Sequence, residues 1–372
     1  MKILVTGAGG FLGKNLVCNL KNAGYEEVFS YDISSTEEEF NTYTENCDFV
    51  FHLAGVNRPK NPEEFMTGNA GLTEKLISRL KESGNKVPVL LSSSIQAGLN
   101  NDYGKSKREA EELVFSYGRE EDVPVYVYRF PNLFGKWSRP NYNTVIATFC
   151  NNIARDLPIR IDDREHIVAL AYVDDVIEQF MRILKTGIRL PAGEFVTFPP
   201  NLIYERKLGN IADTIYSFKK SREDLMVPDM RDEFVSKLYS TYLSFLPEDG
   251  FSYPLKKNTD QRGSFTEFLK SADRGQVSIN VSHPGITKGQ HWHNSKNEKF
   301  LVVSGRGRIE FRKIGTEEVI TYHVSGDDPQ VVDIPTGYTH NIINEGDTDL
   351  VTVMWANEIF DPEHPDTFYE TV

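Results

Sequence analysis

The sequence predicts an α/β protein in which a doubly wound parallel sheet is followed by a smaller all-β domain. Three observations lead to this prediction. A glycine-rich turn stands between a strand pattern and a helix pattern at the start, β-like and helical runs alternate through the first half, and short β-like runs with turns fill the last third. At 372 residues the chain also exceeds what one hydrophobic core usually supports, so at least two domains are expected.

The first domain opens with a strand, a turn and a helix. An apolar run at 3–6 precedes the glycines, and Leu12, Leu16, Val17 and Leu20 then recur at helical spacing until Gly24. Further strand patterns occur at 28–31, 49–53, 89–92 and 125–130. Helical stretches separate them, and helical patterns predominate again from about 174 to 246, so we expect a parallel sheet covered on both faces.

The second domain follows a change in sequence composition at "LPEDGFSYP", residues 246–254. Proline and glycine cluster there, and the runs beyond it are short and β-like, such as "VSINVS" and "LVTVMWA". We therefore expect one domain at 1–246, a linker at 247–254, and an all-β domain of the jelly-roll kind at 255–372.

Composition and charge exclude several classes of protein. The net charge of -13 argues against a nucleic-acid partner, because phosphate backbones attract basic surfaces. Cys18, Cys47 and Cys150 have neither metal nor redox spacing and are expected to be reduced thiols. No apolar run approaches the ~18 residues of a membrane span, so neither a membrane nor a nucleic acid is an expected partner, and we expect a cytoplasmic protein.

The turn "TGAGGFLG" places Gly7, Gly10 and Gly13 between the first strand and the first helix. A dinucleotide needs this arrangement: a tight turn, backbone close to the pyrophosphate, and a helix N-terminus directed at its charge. Asp32 stands about 20 residues on, at the end of the second strand, where an acid can bind a ribose hydroxyl. The pattern predicts a Rossmann-type dinucleotide site.

A second site is predicted at "YGKSK". Tyr103 and Lys107 stand one helical turn apart and share a face. Two other Tyr/Lys pairs in the chain have this spacing, but only Tyr103 follows a strand ending in "LLSSS", where Ser94 would reach it. A phenol with a pKa near 10 can deliver a proton at neutral pH if an ammonium group lowers that pKa. We therefore predict that Tyr103, Lys107 and Ser94 are catalytic.

Taken in order, TGxxGxxG, "HLAG" at 52–55, YxxxK, "RFPNLFG" and "YVDDV" resemble the extended short-chain dehydrogenase/reductase family of nucleotide-sugar enzymes, over about 1–245. The gap from Ser94 to Tyr103 is short for that family. The resemblance implies that Arg129, Asn132 and the segment to Arg164 face a sugar nucleotide. It implies a cofactor site formed by Gly7, Gly10, Phe11, Leu12, Gly13, Asp32, Ser34, Leu53, Ala54, Gly55, Tyr103 and Lys107.

A metal centre is predicted in the second domain. The stretch "GITKGQHWHNSKNEKFLVVSG" holds His291, His293 and Glu298, and "PTGYTHNIIN" adds His340. In a strand, His291 and His293 point to one face, so their imidazoles converge. Three histidines and a carboxylate suit zinc, with iron, manganese or nickel also possible.

Both stretches resemble the metal-binding motifs of cupins, and "TDQRGSFTEF" with "WANEIFDPEHPDTF" resembles their dTDP-4-keto sugar 3,5-epimerase branch. That resemblance implies that Arg262 and Glu267 line a nucleotide-sugar site. The histidine matching His291 is a base in that branch, in a site without metal. Here His293 restores a second histidine, so we expect His291 to be a ligand.

The base of an epimerase would then be another residue. Lys288 and Tyr338 are the candidates, by proximity in sequence alone, and Lys288 is also counted as a substrate-binding residue.

Together the two domains resemble a family of bifunctional enzymes of capsular polysaccharide synthesis. The resemblance implies a UDP-2-acetamido-2,6-dideoxy-4-hexulose that is inverted at carbon 3 and reduced at carbon 4, on the route to UDP-N-acetyl-L-fucosamine, by a homodimer. It also implies NADPH, whereas Asp32 favours a free ribose hydroxyl. We expect NADPH, with Ser34 or Ser35 beside its 2'-phosphate.

Two other classes of function fit part of the pattern. The second domain would be a dimerisation or ligand-sensing module if the chain were a single-activity 4-keto sugar reductase. A redox-sensing regulator would be expected to have a degraded YxxxK motif, and the motif is intact. A module without catalysis predicts no metal.

Overall fold

The computed structural model describes residues 1–142 and 144–372, and they form two compact units. The first unit comprises Met1–Tyr216 and Glu233–Pro247, and the second comprises Ser217–Asp232 and Glu248–Val372. The limits 1–246 and 255–372 stay a prediction for the functional domains. The second compact unit also takes in a segment, 217–232, that lies well before the proposed linker.

The first unit is built on a five-stranded parallel sheet with the order β2-β1-β3-β4-β5. Its strands are β1 (Ile3–Thr6), β2 (Val28–Tyr31), β3 (Phe49–His52), β4 (Val89–Ser94) and β5 (Val125–Phe130). Each predicted strand is present within two residues of its expected ends. The prediction of a doubly wound parallel sheet is confirmed.

Helices cover both faces of this sheet. They are α1 (Phe11–Asn22), α2 (Glu37–Asn46), the short α3 (Glu63–Phe65), α4 (Leu72–Glu82) and α5 (Asp102–Glu121), and a π-helical segment, Met66–Gly71, joins α3 to α4. Ile3 and Val5 pack into one apolar core and Leu4 into the other. Because strand side chains alternate, each strand of a sheet covered on both sides must be apolar throughout.

The remainder of the first unit is a smaller mixed α and β region. Strands β6 (Asn132–Phe134), β7 (Ile167–Tyr172) and β8 (Ile203–Lys207) form a sheet in that order. Helices α6 (Val145–Ala154), α7 (Val173–Thr186), α8 (Leu208–Asp224) and α9 (Glu233–Leu243) complete it, with the end of α8 belonging to the second unit. The sequence analysis expected helix here and missed β8, whose charged sequence "IYERK" pairs antiparallel with β7.

From Lys257 onwards the second unit is all β, as predicted, and its strands form two antiparallel sheets. One has the order β16-β13-β18-β11-β10-β9 and the other β15-β14-β17-β12-β19. The strands are β9 (Lys257–Asp260), β10 (Gly263–Ser271), β11 (Gly275–Ser282), β12 (Thr287–Trp292), β13 (Glu298–Ser304), β14 (Arg306–Lys313), β15 (Val319–Ser325), β16 (Val331–Ile334), β17 (Tyr338–Asn344), β18 (Leu350–Ala356) and β19 (Phe368–Tyr369).

The face between the two sheets is apolar at one end and polar at the other. Phe300, Ile309, Phe311 and Ile342 form the apolar core. Residues opposite each other across a strand pair share a face, and Ser278 is opposite Met354, which is opposite Phe300. The buried inward side chains of β11 are therefore all polar: Gln276, Ser278, Asn280 and Ser282.

Residues 217–232 contact an edge of this unit. The Val227 N–H donates to the Lys270 carbonyl over 2.7 Å, and the Lys270 N–H donates to the Leu225 carbonyl over 2.8 Å. This segment thus extends the sheet beside β10. Among the described helices of the chain, none is both long and apolar enough to cross a membrane.

Candidate functional site

The glycine turn after β1 has the close packing that a dinucleotide site requires. Gly7 has a φ of +69°, and a Cβ on it would lie 2.8 Å from the Ala54 backbone at the end of β3. A Cβ on Gly13 would lie 2.1 Å from the Gly7 carbonyl oxygen. Only glycine lets the turn, the helix and the neighbouring strand approach this closely.

The N-terminus of α1 is open to an anion. Gly10 is the N-cap residue and supplies no side-chain acceptor, and the first turn, which begins with Phe11, Leu12 and Gly13, holds no acidic residue. The backbone N–H groups of that turn are available to a phosphate, and the helix dipole favours its charge.

Asp32 lies beside this turn, as predicted, but its carboxylate is already hydrogen-bonded. Its Oδ2 accepts from the Gly9 N–H over 2.6 Å and its Oδ1 from the Ile33 N–H over 2.8 Å. The Ser35 hydroxyl accepts from the Asp32 N–H over 3.1 Å, and Ser34 is exposed. Asp32 therefore stabilises the glycine turn, and its contact with a ribose stays a prediction.

Ser94, Tyr103 and Lys107 are brought together at the carboxyl end of β4, in spite of the short gap between the first two. The Lys107 Nζ lies 6.0 Å from the centre of the Tyr103 ring and donates to the Ser92 carbonyl over 3.2 Å. Burial raises the pKa of Tyr103, and a hydrogen bond with the Ser94 side chain partly offsets this rise. The expectation that the pKa lies below its ordinary value is wrong here, because burial disfavours the phenolate more strongly.

Lys107 is itself buried, with consequences for its charge. Burial lowers its pKa to about 8, while the carboxylate of Glu111, one helical turn further along α5, acts to raise it. A Cβ on Gly55 would lie 3.2 Å from the Lys107 Nζ and 2.8 Å from Asn69 Oδ1. The "HLAG" segment therefore lies against the predicted catalytic lysine, and a larger residue at 55 would displace the side chains of Asn69 and Lys107.

The two residues predicted to face the sugar nucleotide, Arg129 and Asn132, differ in their surroundings, and their role stays a prediction. Arg129, predicted to face the sugar, forms a two-pronged ion pair with buried Glu111 at 2.9 and 2.5 Å and stacks on Phe195 at 4.2 Å. Its guanidinium group is therefore engaged within the protein. Asn132 is exposed on β6, and its amide donates to the Ala169 carbonyl over 3.4 Å.

Sequence reasoning missed Glu111 and Asn69. Glu111 continues the four-residue spacing of Tyr103 and Lys107, which was a usable signal. Asn69 lies buried in the π-helical segment, where its Oδ1 accepts from the Val56 N–H over 2.9 Å and its Nδ2 donates to the Ser106 hydroxyl over 3.0 Å. A π-helical turn changes the direction of a side chain, and a sequence pattern does not reveal it.

In the second unit the four predicted metal ligands converge. His291, His293, Glu298 and His340 each offer an atom, and these atoms all lie within 4.8 Å of one another. A β-bulge at Gly289 and Gln290 shifts the register so that His291 stands opposite His340 on β17. Glu298 reaches the group from the facing sheet, with its Oε2 3.4 Å from the His293 Nε2.

The ligand atoms are buried and unpaired, which is costly unless something binds them. His293 Nε2, Glu298 Oε2 and both ring nitrogens of His340 have no hydrogen-bond partner. Burial lowers the pKa of His291 to about 4, so its imidazole is neutral and able to ligate. Burial acts to raise the pKa of Glu298, but contacts with His293 and His340 outweigh it and keep the carboxyl ionised. This donor set fits a divalent cation.

Two of the predicted substrate residues of the second unit, Lys288 and Glu267, lie beside the polar side chains of β11. Lys288 precedes the bulge on β12 and donates to Asn280 Oδ1 over 2.9 Å and to the Val281 carbonyl over 2.7 Å. Burial lowers the pKa of its ammonium group. Glu267 stands opposite Ser278 on the inward face.

The other two candidates are Arg262, predicted to bind substrate, and Tyr338, predicted as a possible base. Arg262 is exposed and pairs with Asp260 at 2.6 Å. Tyr338 begins β17 and packs against the apolar core. Among the residues considered, Lys288 has the environment closest to that of a proton acceptor, because its neutral form is favoured by burial.

Comparison with known proteins agrees with the two-unit architecture. The model of the NAD dependent epimerase/dehydratase family matches residues 3–196, and the model of the polysaccharide biosynthesis C-terminal domain matches 258–368. The chain belongs to the NAD dependent epimerase/dehydratase family. Among solved structures it resembles the capsular polysaccharide assembling protein CapF from Staphylococcus aureus, with 50% identity, a TM-score of 0.94 and full coverage of both chains.

Two further relatives narrow the comparison. UDP-2-acetamido-2,6-beta-L-arabino-hexul-4-ose reductase from Pseudomonas aeruginosa is 45% identical over 99% of this chain and 98% of its own length. A structure of CapF with the inhibitor 3-isopropenyl-tropolone is 47% identical, with a TM-score of 0.89 and full coverage of both chains. The predicted resemblance to the capsular polysaccharide enzyme CapF is confirmed over the whole chain.

Proposed function

We propose that this chain is a bifunctional nucleotide-sugar enzyme. The first unit reduces the carbon-4 ketone of a UDP-2-acetamido-2,6-dideoxy-4-hexulose with NADPH, and the second unit first inverts carbon 3 of the same sugar. The observation that carries the reductase is the meeting of Ser94, Tyr103 and Lys107 beside the glycine turn. The name of the Pseudomonas aeruginosa relative supports the substrate class.

The reduction uses three side chains of the first unit. A bound nicotinamide cofactor supplies the hydride. The Ser94 hydroxyl is placed to hydrogen-bond the ketone oxygen, and the Tyr103 hydroxyl is the proton donor to that oxygen. The Lys107 ammonium, 6.0 Å from the centre of the Tyr103 ring, is placed to stabilise the phenolate that Tyr103 leaves behind.

We propose that the cofactor is NADPH rather than NADH. Asp32 is the opposing observation, since a carboxylate repels a 2'-phosphate. Its two oxygens are, however, hydrogen-bonded to the Gly9 and Ile33 N–H groups, and the Ser34 hydroxyl is exposed nearby in sequence. Affinities for NADPH and NADH measured side by side test this choice, and tenfold tighter binding of NADH would overturn it.

For the second unit we propose a cupin jelly roll with a metal centre. His291, His293, Glu298 and His340 would hold a divalent cation, for which zinc is our first choice. Such a cation supplies Lewis acidity, which makes the proton on carbon 3 beside a ketone easier to remove. Lys288 is the proton acceptor that its environment favours, with Tyr338 as the second candidate.

The inhibitor bound to the related CapF is consistent with a metal centre of this kind. A tropolone carries two adjacent oxygens, an arrangement that chelates divalent cations, so we expect compounds of this class to bind this chain in a metal-dependent way. The homodimer and the cytoplasmic location expected from the sequence stay parts of the proposal.

Inversion at carbon 3 precedes reduction in this scheme. The carbon-3 proton is acidic only while carbon 4 is a ketone, and hydride transfer removes the ketone. The second candidate function is a single-activity reductase whose second unit only binds a ligand. The name of the Pseudomonas aeruginosa relative, which mentions a reductase alone, favours this alternative.

Proton NMR of the keto sugar in deuterium oxide separates the two candidates. We expect the full chain without cofactor to exchange the carbon-3 proton for deuterium. Tyr103→Phe should keep this exchange and lose reduction by more than about 100-fold, because only the proton donor is removed. His340→Ala should lose the exchange and still bind NADPH.

The outcomes that contradict the proposal are distinct. If the zinc-loaded full chain does not exchange the carbon-3 proton, the single-activity reductase is the remaining candidate. Exchange that requires Tyr103 or NADPH would place the inversion in the first unit. Retention of most of the reductase rate in Tyr103→Phe would refute the assigned proton donor.

A further inference from the structure

The last residues of the chain lie against the predicted metal centre. Strand β19 pairs with β12, so that His291 stands opposite Tyr369 and Trp292 opposite Phe368. The segment 366–372, which we name the C-terminal strap, continues on both sides of this short pairing. It therefore contacts the strand that carries one of the four ligand histidines.

Asp366 holds the turn after His293 through both its main chain and its side chain. The Asp366 carbonyl oxygen lies 2.5 Å from the His293 Nδ1. Its carboxylate accepts from the backbone N–H groups of Asn294 (2.9 Å), Ser295 (2.7 Å) and Lys296 (2.8 Å), and from the Ser295 hydroxyl (3.1 Å). One residue thus fixes the turn between two of the metal ligands.

The contact at Nδ1 determines which nitrogen of His293 is free. A carbonyl oxygen only accepts hydrogen bonds, so His293 must carry its proton on Nδ1. The lone pair then lies on Nε2, which is the atom that is buried without a partner beside Glu298. An outer hydrogen bond of this kind orients a ligating imidazole and increases its basicity.

The other end of the strap is anchored as well. The Glu370 carbonyl accepts from the Thr339 hydroxyl, on the strand that carries His340, and Arg312 donates to the Glu370 carboxylate over 2.8 Å. The Val372 N–H donates to Gln290 Oε1, in the bulge, over 2.8 Å. Because both ends are anchored, the Asp366 carbonyl is held in place.

We propose that Asp366 is a positioning residue for the metal centre: it sets the tautomer and orientation of His293 and tethers the strap over the site. The proposal rests on the metal centre described under the proposed function. It extends the site from four ligands to a segment more than 70 residues away along the chain from His293.

Zinc affinity of the whole protein tests this role. Asp366→Ala keeps the main-chain carbonyl but removes the carboxylate that holds it opposite His293 Nδ1. We expect zinc binding, measured in competition with a chromophoric chelator, to weaken about 10- to 100-fold, as when an outer-shell partner is lost or misplaced. Asp366→Asn and Ser295→Ala should give smaller losses, since part of the hydrogen bonding remains. Glu363→Ala is the matched control, because Glu363 lies in the same stretch and is exposed.

A second measurement does not depend on metal. Nitrogen NMR of the metal-free protein with labelled histidine should show His293 protonated on Nδ1 in the wild type and a mixture of tautomers in Asp366→Ala. Wild-type zinc affinity in Asp366→Ala, or protonation of His293 on Nε2 in the wild type, would overturn the role of Asp366. If the wild type binds no zinc while His293 carries its proton on Nδ1, the metal centre fails but the hydrogen bond stands.

Discussion

At the scale of single residues, the surroundings of Lys107, the lysine of the YxxxK motif, determine the pKa of its ammonium group. It lies on one helix face between Tyr103 and Glu111, whose side chain is 2% exposed. Burial and Glu111 act on the pKa of Lys107 in opposite directions, and the balance is about 8. Tyr103 and Lys107 were predicted from their spacing together with the strand that precedes them, whereas the opposing effect of burial on the Tyr103 pKa was not predictable, because burial is a property of the folded chain.

This balance predicts the pH dependence of reduction. In the proposed mechanism reduction requires the charged form of Lys107, so we expect the rate to fall as the pH rises through the pKa of this lysine. Glu111→Gln removes the charge that raises this pKa, so we expect the basic limb of kcat/KM to move to lower pH. Glu120→Gln, which breaks an exposed ion pair on the same helix, should leave the profile unchanged. An unshifted limb in Glu111→Gln would show that Glu111 does not control the lysine.

At the scale of elements, the turn between β1 and α1 was predictable because its sequence and its geometry are both local. Glycine is needed at Gly13 for a reason that the structure supplies, namely that a Cβ there would overlap the carbonyl oxygen of Gly7. Strand β8 and the π-helical segment were missed, since β8 depends on pairing with β7 and neither has a periodicity that reveals it. The strap was missed for the same reason: Asp366 is far from His293 in sequence.

The close approach in this turn predicts the effect of one added methyl group. We expect Gly13→Ala to weaken cofactor binding at least tenfold and to destabilise the protein by about 1–3 kcal/mol, because α1 must move away from the turn. Fluorescence titration with NADPH and urea unfolding measure the two effects. Gly98→Ala, where a Cβ meets nothing within 4 Å, is the control for the substitution itself. Wild-type cofactor affinity in Gly13→Ala would contradict this account.

At the scale of the whole molecule, the two units do not follow each other simply along the chain. The chain enters the second unit at Ser217, returns to the first at Glu233 and enters the second again at Glu248. The sequence predicted a change of architecture near 250 because composition changes there. The sequence did not indicate that the chain already enters the second unit at Ser217, because 217–232 continues helix α8 of the first unit.

The backbone bonds of that segment can be tested in the intact protein. Val227→Pro removes the N–H that donates to the Lys270 carbonyl, so we expect faster amide exchange in β10 and β11 and a lower melting temperature. Pro228→Ala, at a neighbouring position without a ladder donor, is the control. Unchanged exchange in β10 would mean that the segment contributes little to the second unit.

The passage at 217–232 limits how such a protein can be recombined. A simple exchange of its second half for that of a relative, joined near residue 250, would leave the incoming unit facing a segment that belongs to the old one. A successful chimaera would therefore need three joints, with 217–232 taken from the same parent as 248–372.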